Sequence, residues 1–365
     1  MTSQLYRILI KSIGTAQPAA SVAVASGLGL PAATVVSRLY SAPAILIDGV
    51  DEHIARAMVK LLNGIGFETE AQDTTLPALA ASPLYDVAIY IKNARQYQHV
   101  IQKVAEFTGI VEDDATRMIL SPPGVILGSV SKATVAALSE RLGPEVSVLS
   151  SQADTARYNL FLSEDTGATI HRRILQNLSH DELELCGTSG LIATNVDHAT
   201  ARELWQRHQS SGLLRIVNQD FLRFDLVLQT VVITNVMTPE QTEVLEKLAG
   251  IPPDMVEQVL QAAPITLLES VPGTELAQPM AAFAEVDLDV RADMITFQML
   301  GLEILSLSDR AATVQSLEGF GLHQQGKPLP RTPFSLPGVM PELKARIIRA
   351  ALEDTGAEVT FVEAC

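Results

Sequence analysis

The residues best able to do chemistry are few in this chain, and their spacing decides how they read. His171, His180, His198 and His208 share one stretch with Cys186. A zinc site needs ligand pairs at tight spacing, such as CxxC or HxxxH, that converge on one point. None of the intervals here supplies that. His198 and His208 fall on one expected helix ten positions apart, too far to share an ion. Cys186 follows His180 by six residues, with Asp181 and Glu182 between them. A nucleophilic thiol needs a base and an orienting group brought together by the fold, so a buried small side chain is the competing reading. Gly27-Leu28-Gly29-Leu30-Pro31-Ala32 matches GxGxxA. A dinucleotide fingerprint, however, follows a strand and opens a long helix. Here an alanine-rich helix comes first, and Pro31 removes an N–H that a phosphate would use. Glu112-Asp113-Asp114 reads as acids complementing a helix dipole, and Arg172-Arg173 is too brief for a basic groove. The expectation is no catalytic residue, no metal and no cofactor.

The elements around these residues repeat. The stretch SAPAILIDGVDEHIARAMVKLLNGIGFETEA (Ser41–Ala71) reads as strand, helix, glycine turn and strand. Looser copies follow as SPPGVILGSVSKATVAALSERLGPEVSVL, GTSGLIATNVDHATARELWQRHQSSGLLRIV, AAPITLLESVPGTELAQPMAAFAEVDLDV and TPFSLPGVMPELKARIIRAALEDTGAEVTFV. Five units of roughly 70 residues are each near the lower limit for a self-sufficient core, so they gain stability by packing on neighbours. The expected fold class is α+β: five tandem β-α-α-β-α-β domains, each a three-stranded sheet with its helices on one face. Their expected spans are 1–73, 84–152, 156–222, 223–294 and 295–365.

In the first unit a strand, Tyr6 to Ile10, precedes a helix from Ala19 to Ala25. Gly27 and Gly29 then break the chain, and Pro31 opens a second helix. Asp51 is the expected N-cap of a helix presenting Ile54, Met58, Leu61, Leu62 and Ile65 on one face. The second unit predicts helices over Tyr97–Thr108 and Glu112–Leu120, with Ser131 capping a third. The third unit has lost the proline before its strand and is the most eroded. The fifth begins near Ile295, and its middle, Phe320 to Pro333, predicts a loop.

The order β-α-α-β-α-β, with GLGLPAATV, PAILIDGV and GIGFETEA, resembles the C-terminal domain of the bacterial ribosomal stalk protein. The second unit also resembles the related ClpS-type protease adaptor, whose acidic run before the second helix is similar to Glu112–Met118. The resemblance implies a protein-binding fold. It points to Gly29 and Leu30 of the glycine-leucine turn, Thr34 on the helix after it, and Glu112 and Arg117 as partner-binding candidates. The chain departs from both families at their contact residues. Uncharged Pro31-Ala32-Ala33-Thr34 stands where the stalk domain carries lysines. Neither Lys92-Asn93-Ala94-Arg95 nor Ser163-Glu164-Asp165-Thr166 repeats the adaptor's Asn-Asp-Asp segment.

With 42 acidic and 26 basic residues the formal charge is -16, which repels phosphate backbones and anionic lipid. Neither nucleic acid nor membrane is an expected partner. Cys186 and Cys365 are the only cysteines, so a disulfide framework is excluded and a reducing compartment expected. No secretion signal or spanning segment is read, and the expected location is cytoplasmic. The functional expectation is a non-enzymatic scaffold or adaptor acting through protein partners, one or several, or further copies of itself. The alternatives are recruitment of a GTPase or protease chaperone by a single unit, and an enzyme with an inter-domain site.

Overall fold

In the computed structural model, the strand that opens each repeat lies in the middle of its own small antiparallel sheet. The structure describes residues 4–16, 18–29, 31–77, 82–162, 168–180, 190–229, 238–324 and 327–363. The first module runs β1 (Leu5–Ser12), α1 (Pro18–Leu28), α2 (Ala32–Tyr40), β2 (Ala44–Asp51), α3 (Glu52–Gly64) and β3 (Glu68–Asp73), with strand order β2-β1-β3. The second runs β4 (Leu84–Ile91), α4 (Tyr97–Thr108), α5 (Glu112–Leu120), β5 (Val125–Ser131), α6 (Lys132–Leu142) and β6 (Val146–Ser151), ordered β5-β4-β6.

The third comprises β7 (Tyr158–Leu162), α7 (Ala168–His180), β8 (Leu191–Val196), α8 (His198–His208) and β9 (Leu214–Asn218). Its expected middle helix falls outside the described residues. The fourth comprises β10 (Arg223–Leu228), α9 (Pro239–Ala249), α10 (Val256–Gln261), β11 (Ile265–Pro272), α11 (Ala277–Glu285) and β12 (Val290–Met294). The fifth has β13 (Met299–Leu307), α12 (Arg310–Gly319), β14 (Phe334–Ser335), β15 (Met340–Pro341), α13 (Glu342–Glu353) and β16 (Ala357–Glu363). Ile304 pairs with both Phe334 and Val359, and Leu300 with both Met340 and Glu363. A residue has only two neighbours in a sheet, so β14 and β15 are one interrupted edge strand opposite β16. Between α12 and β14 the described residues form no helix.

One local device recurs in these sheets. An aromatic residue of the central strand faces a valine at Tyr6/Val50, Tyr85/Val130, Tyr158/Val196 and Phe224/Val271. Just before each valine the backbone turns left-handed, at Gly49 (φ 73°), Ser129 (φ 56°), Asn195 (φ 60°) and Ser270 (φ 54°). Gly338 before Val339 does the same, with φ 77°. In the four sheets two edge residues there oppose one central residue, a bulge that bends the edge strand toward the helix that follows. Side chains with a Cβ disfavour this conformation. Two of them are held by the central strand: Asp86 Oδ1 accepts the Ser129 N–H at 3.0 Å, and Asp225 Oδ1 accepts the Ser270 N–H at 2.7 Å. Asp225→Ala is expected to cost about 1–2 kcal/mol, read as a lower unfolding midpoint in urea, because it strands that N–H.

Several local expectations change in the structure. α1 runs through Gly27 and ends before Gly29, whose φ of 62° makes it the break. Asp51 sits at the N-cap of α3 without a side-chain cap bond. Ser131, by contrast, accepts the Thr134 N–H at 3.3 Å. Ile295 opens a turn, since its carbonyl accepts the Gln298 N–H at 2.9 Å, and the fifth module's strand begins at Met299. The largest revision concerns α3. Ala55 and Leu62 are its buried residues, whereas Ile54, Leu61 and Ile65 are 46%, 66% and 41% exposed. Of the apolar stripe read from the sequence, Leu62 is buried and Met58 packs on the core, while the other three residues lie outside the inward face. Residues 55, 59 and 62 form the row that turns toward the core, Met58 packs beside it half-buried, and 54, 61 and 65 point away.

The chain folds as two compact units, Met1–Ala153 with Met299–Cys365, and Asp154–Gln298. The first, second and fifth modules make the larger unit; the third and fourth make the smaller.

Candidate protein-interaction surfaces

Within the larger unit the modules bind each other through helix faces. Apolar residues of the first and second modules form one continuous cluster, from Ile8, Val35 and Leu46 to Val104, Ile119 and Leu138. Its edge is polar and specific. The Tyr40 hydroxyl donates to Phe107 O at 2.7 Å, and Thr134 Oγ1 donates to Tyr40 O at 2.8 Å. Arg141 donates to Gly14 O at 3.2 Å and Ala16 O at 3.0 Å while lying 5.0 Å over the Phe107 ring. Thr134 and Arg141 both stand on α6, so this helix carries the seam to the first module.

Burial pushes the Tyr40 phenol up to about 12, opposed by the nearby Arg141 cation. The unfolded chain thus loses this proton first, near its ordinary value of 10.0. The stability tied to Tyr40 is complete below pH 10 and is lost as pH rises through about 12, amounting to about 2–3 kcal/mol. Urea titrations at pH 9 and pH 11 should show the larger unit weakening. Tyr40→Phe should remove most of that difference.

The fifth module docks on the second through α13, which has two apolar faces. Ala345, Ile348 and Leu352 pack in the fifth module's own core, whereas Leu343 and Ile347 join the cluster shared by the first two modules. Beside them Arg346 donates to Tyr90 Oη at 2.6 Å, Ile91 O at 3.3 Å and Lys92 O at 2.6 Å. Tyr90 Oη lies 3.2 Å from Glu342 Oε1, and Arg346 Nε lies 3.6 Å from the same oxygen. A second, exposed pairing joins Arg95 Nε to Asp354 at 2.8 Å. That bond, with the Asp354 charge behind it, raises the Arg95 pKa further above its usual value.

In the smaller unit, Phe161, Val217 and Leu222 form a separate cluster with Leu191, Phe224, Met294 and Phe297 packed against it. Phe161 meets Phe297 edge-on at 4.9 Å, and the Arg215 guanidinium lies 5.7 Å from the Phe297 ring. Gly273 N donates to Leu222 O at 2.7 Å. A Cβ at Gly273 would lie 2.6 Å from Gln219 O, so the link between these modules tolerates no side chain there.

The described partner-binding candidates make none of the seam hydrogen bonds given above. Gly29 is exposed at the turn between α1 and α2, and Thr34, on α2, is half-buried. Glu112 and Arg117 are exposed on α5, where Arg117 pairs with Asp114. Leu30 is outside the described residues. Among the described residues, no hydrogen bond or ion pair joins Gly29 or Thr34 to Glu112 or Arg117. His198 Nδ1 lies 3.2 Å from Tyr158 Oη, and its Nε2 lies 3.9 Å from Asp154. Cys186 is outside the described residues. Among those described, no group of three or more His, Cys, Asp or Glu could hold a metal ion, and no helix is long and apolar enough to cross a membrane.

The seam residues Tyr40, Tyr90, Arg141, Glu342 and Arg346 were not singled out by sequence reasoning. The one signal was the i,i+4 spacing of Glu342 and Arg346, which reads equally as an ordinary surface pair. Taken together, these surfaces define a chain of small α+β modules, of which the first, second and fifth meet through helix faces and the third and fourth through strand and turn residues. No protein-family model, curated protein or solved structure matches this chain.

Proposed function

We propose that the chain is a non-enzymatic scaffold or adaptor that works through protein–protein contacts as part of a larger assembly. The observation that carries this reading is the α13 seam. A helix with one face in its own core and a second face on another module is a protein-binding device already in use within the chain. We read the five sheets as diverged copies of one β-α-α-β-α-β domain resembling the ribosomal stalk C-terminal domain and the ClpS-type adaptor. The recurring bulge and its valine support that reading. Repetition lets weak contacts add through avidity where the geometry allows simultaneous engagement.

The test is cross-linking in the native host, followed by affinity isolation and quantitative mass spectrometry. A defined set of proteins at fixed ratio is the expected result. Isolation of the chain alone, with intramolecular cross-links only, would overturn the proposal. A second reading, recruitment of a GTPase or protease chaperone by the second module, draws on Glu112 and Arg117, which stay exposed while both seams are engaged. Its test is loss of one co-isolated protein on Glu112→Lys with Arg117→Glu. Deleting 84–152 would strip both seams and is the poorer experiment.

A further inference from the structure

The exposed stripe of α3 has a counterpart inside the same chain. The recurring valines Val50 and Val130, with the N-caps Asp51 and Ser131 after them, place α3 and α6 in register. In that register Ile54 corresponds to Thr134, Met58 to Leu138 and Leu61 to Arg141. On α6 this row is covered: Thr134 and Leu138 are fully buried, and Thr134 and Arg141 bond the first module. On α3 the same row is more apolar, and Ile54, Leu61 and Ile65 in it are exposed, while half-buried Met58 between them also packs on the core cluster. The small residues Ala57 and Gly64 lie beside Leu61 on the outer side, which lets a second helix approach closely.

From this we infer that the α3 face joins two copies of this chain, α3 against α3 across a two-fold axis; the inference rests on the scaffold reading above and deepens it. The argument for the occupant is internal. The covered row of α6 shows that this face, in this fold, packs on another module of the same chain. The surface that receives it, around Gly14, Ala16 and Tyr40, is already filled by α6 in every copy. A second chain therefore cannot be added head to tail in the same way. A self-complementary stripe closes instead as a two-fold pair, the commonest symmetry of protein dimers. Ile54, Met58, Leu61 and Ile65 follow each other at intervals of four, three and four, so two such stripes can interdigitate along a helix pair.

The experiment is sedimentation equilibrium of the full chain over a wide concentration range, for the native sequence and Leu61→Glu. The native chain is expected to be a dimer, and Leu61→Glu to weaken association about 100-fold, since both copies lose a central apolar contact. Because Leu61 is exposed in the single chain, the variant should keep the native circular dichroism, and its melting temperature should match the native one at dilutions where the native chain is monomeric. In a Cys186→Ser, Cys365→Ser background, Leu61→Cys should give a disulfide-linked dimer on oxidation, and exposed Val111→Cys should not. A monomer at every concentration, or a dimer indifferent to Leu61→Glu, overturns the inference. If the chain is monomeric but still isolates with other proteins at fixed ratio, only the α3 pairing falls and the scaffold reading stands.

Discussion

Ile347→Asp is expected to release the fifth module from the second while leaving its own core assembled. Ile347 is buried in the cluster shared by the first two modules, whereas Ile348 and Leu352 on the same helix pack inside the fifth. A carboxylate in that seam has no cation aimed at it, because Arg346 is already committed to Tyr90, Ile91 and Lys92. The cost is about 3–4 kcal/mol if the seam stays closed, and opening the seam to water relieves it. Hydrogen exchange should show faster exchange along the Leu343 side of α13, with β13 and β16 protected as before. Uniform loss of protection throughout 299–365 would mean that the fifth module cannot fold without the second. Arg349→Ala is the matched control. Arg349 lies 4.9 Å over Phe361 within the same module, and its removal should cost less than about 1 kcal/mol.

Gly14→Ala is expected to destabilise the larger unit by about 3–4 kcal/mol, a melting shift on the order of 10 °C. Gly14 has φ 55°, and a Cβ there would lie 2.4 Å from Gly66 O. That carbonyl is not free to move, since it accepts the N–H groups of Thr15 at 2.9 Å and Ala16 at 3.2 Å. Gly14 O and Ala16 O in turn receive Arg141, so the strain reaches the seam with α6. Gly27→Ala offers the opposite sign. Gly27 lies in α1 with open space around its missing Cβ, and alanine there should stabilise by about 0.5–1 kcal/mol. Calorimetry on the two variants distinguishes a glycine required by close approach from one that is merely tolerated.

The contrast between these two glycines shows where sequence reading worked. α4 and α5 were legible to the residue because Val100, Val104 and Phe107 share one face, and because acids stand at the start of α5. The small sheets were legible from alternating apolar runs bounded by proline and glycine. The recurring bulge was not. It places left-handed backbone at Ser129, Asn195 and Ser270, residue types that carry no strong signal for it. Its support comes from Asp86 and Asp225, each more than forty residues away along the chain.

The sequence by itself determined the α+β composition, the recurrence of small sheets and the bounds of helices such as α4 and α5, because these follow from local periodicity and turn chemistry. Tertiary structure alone decided which face of each helix is used. An amphipathic pattern reports that a stripe is apolar and says nothing of what covers it. α3 and α13 both carry such stripes, yet Ile347 is buried against another module and Leu61 is open. The grouping of the fifth module with the first and second was likewise invisible in the sequence, since it depends on Tyr90 and Arg346, which lie far apart along the chain. Contacts of that kind arise from shape and charge meeting in space, and no local spacing records them.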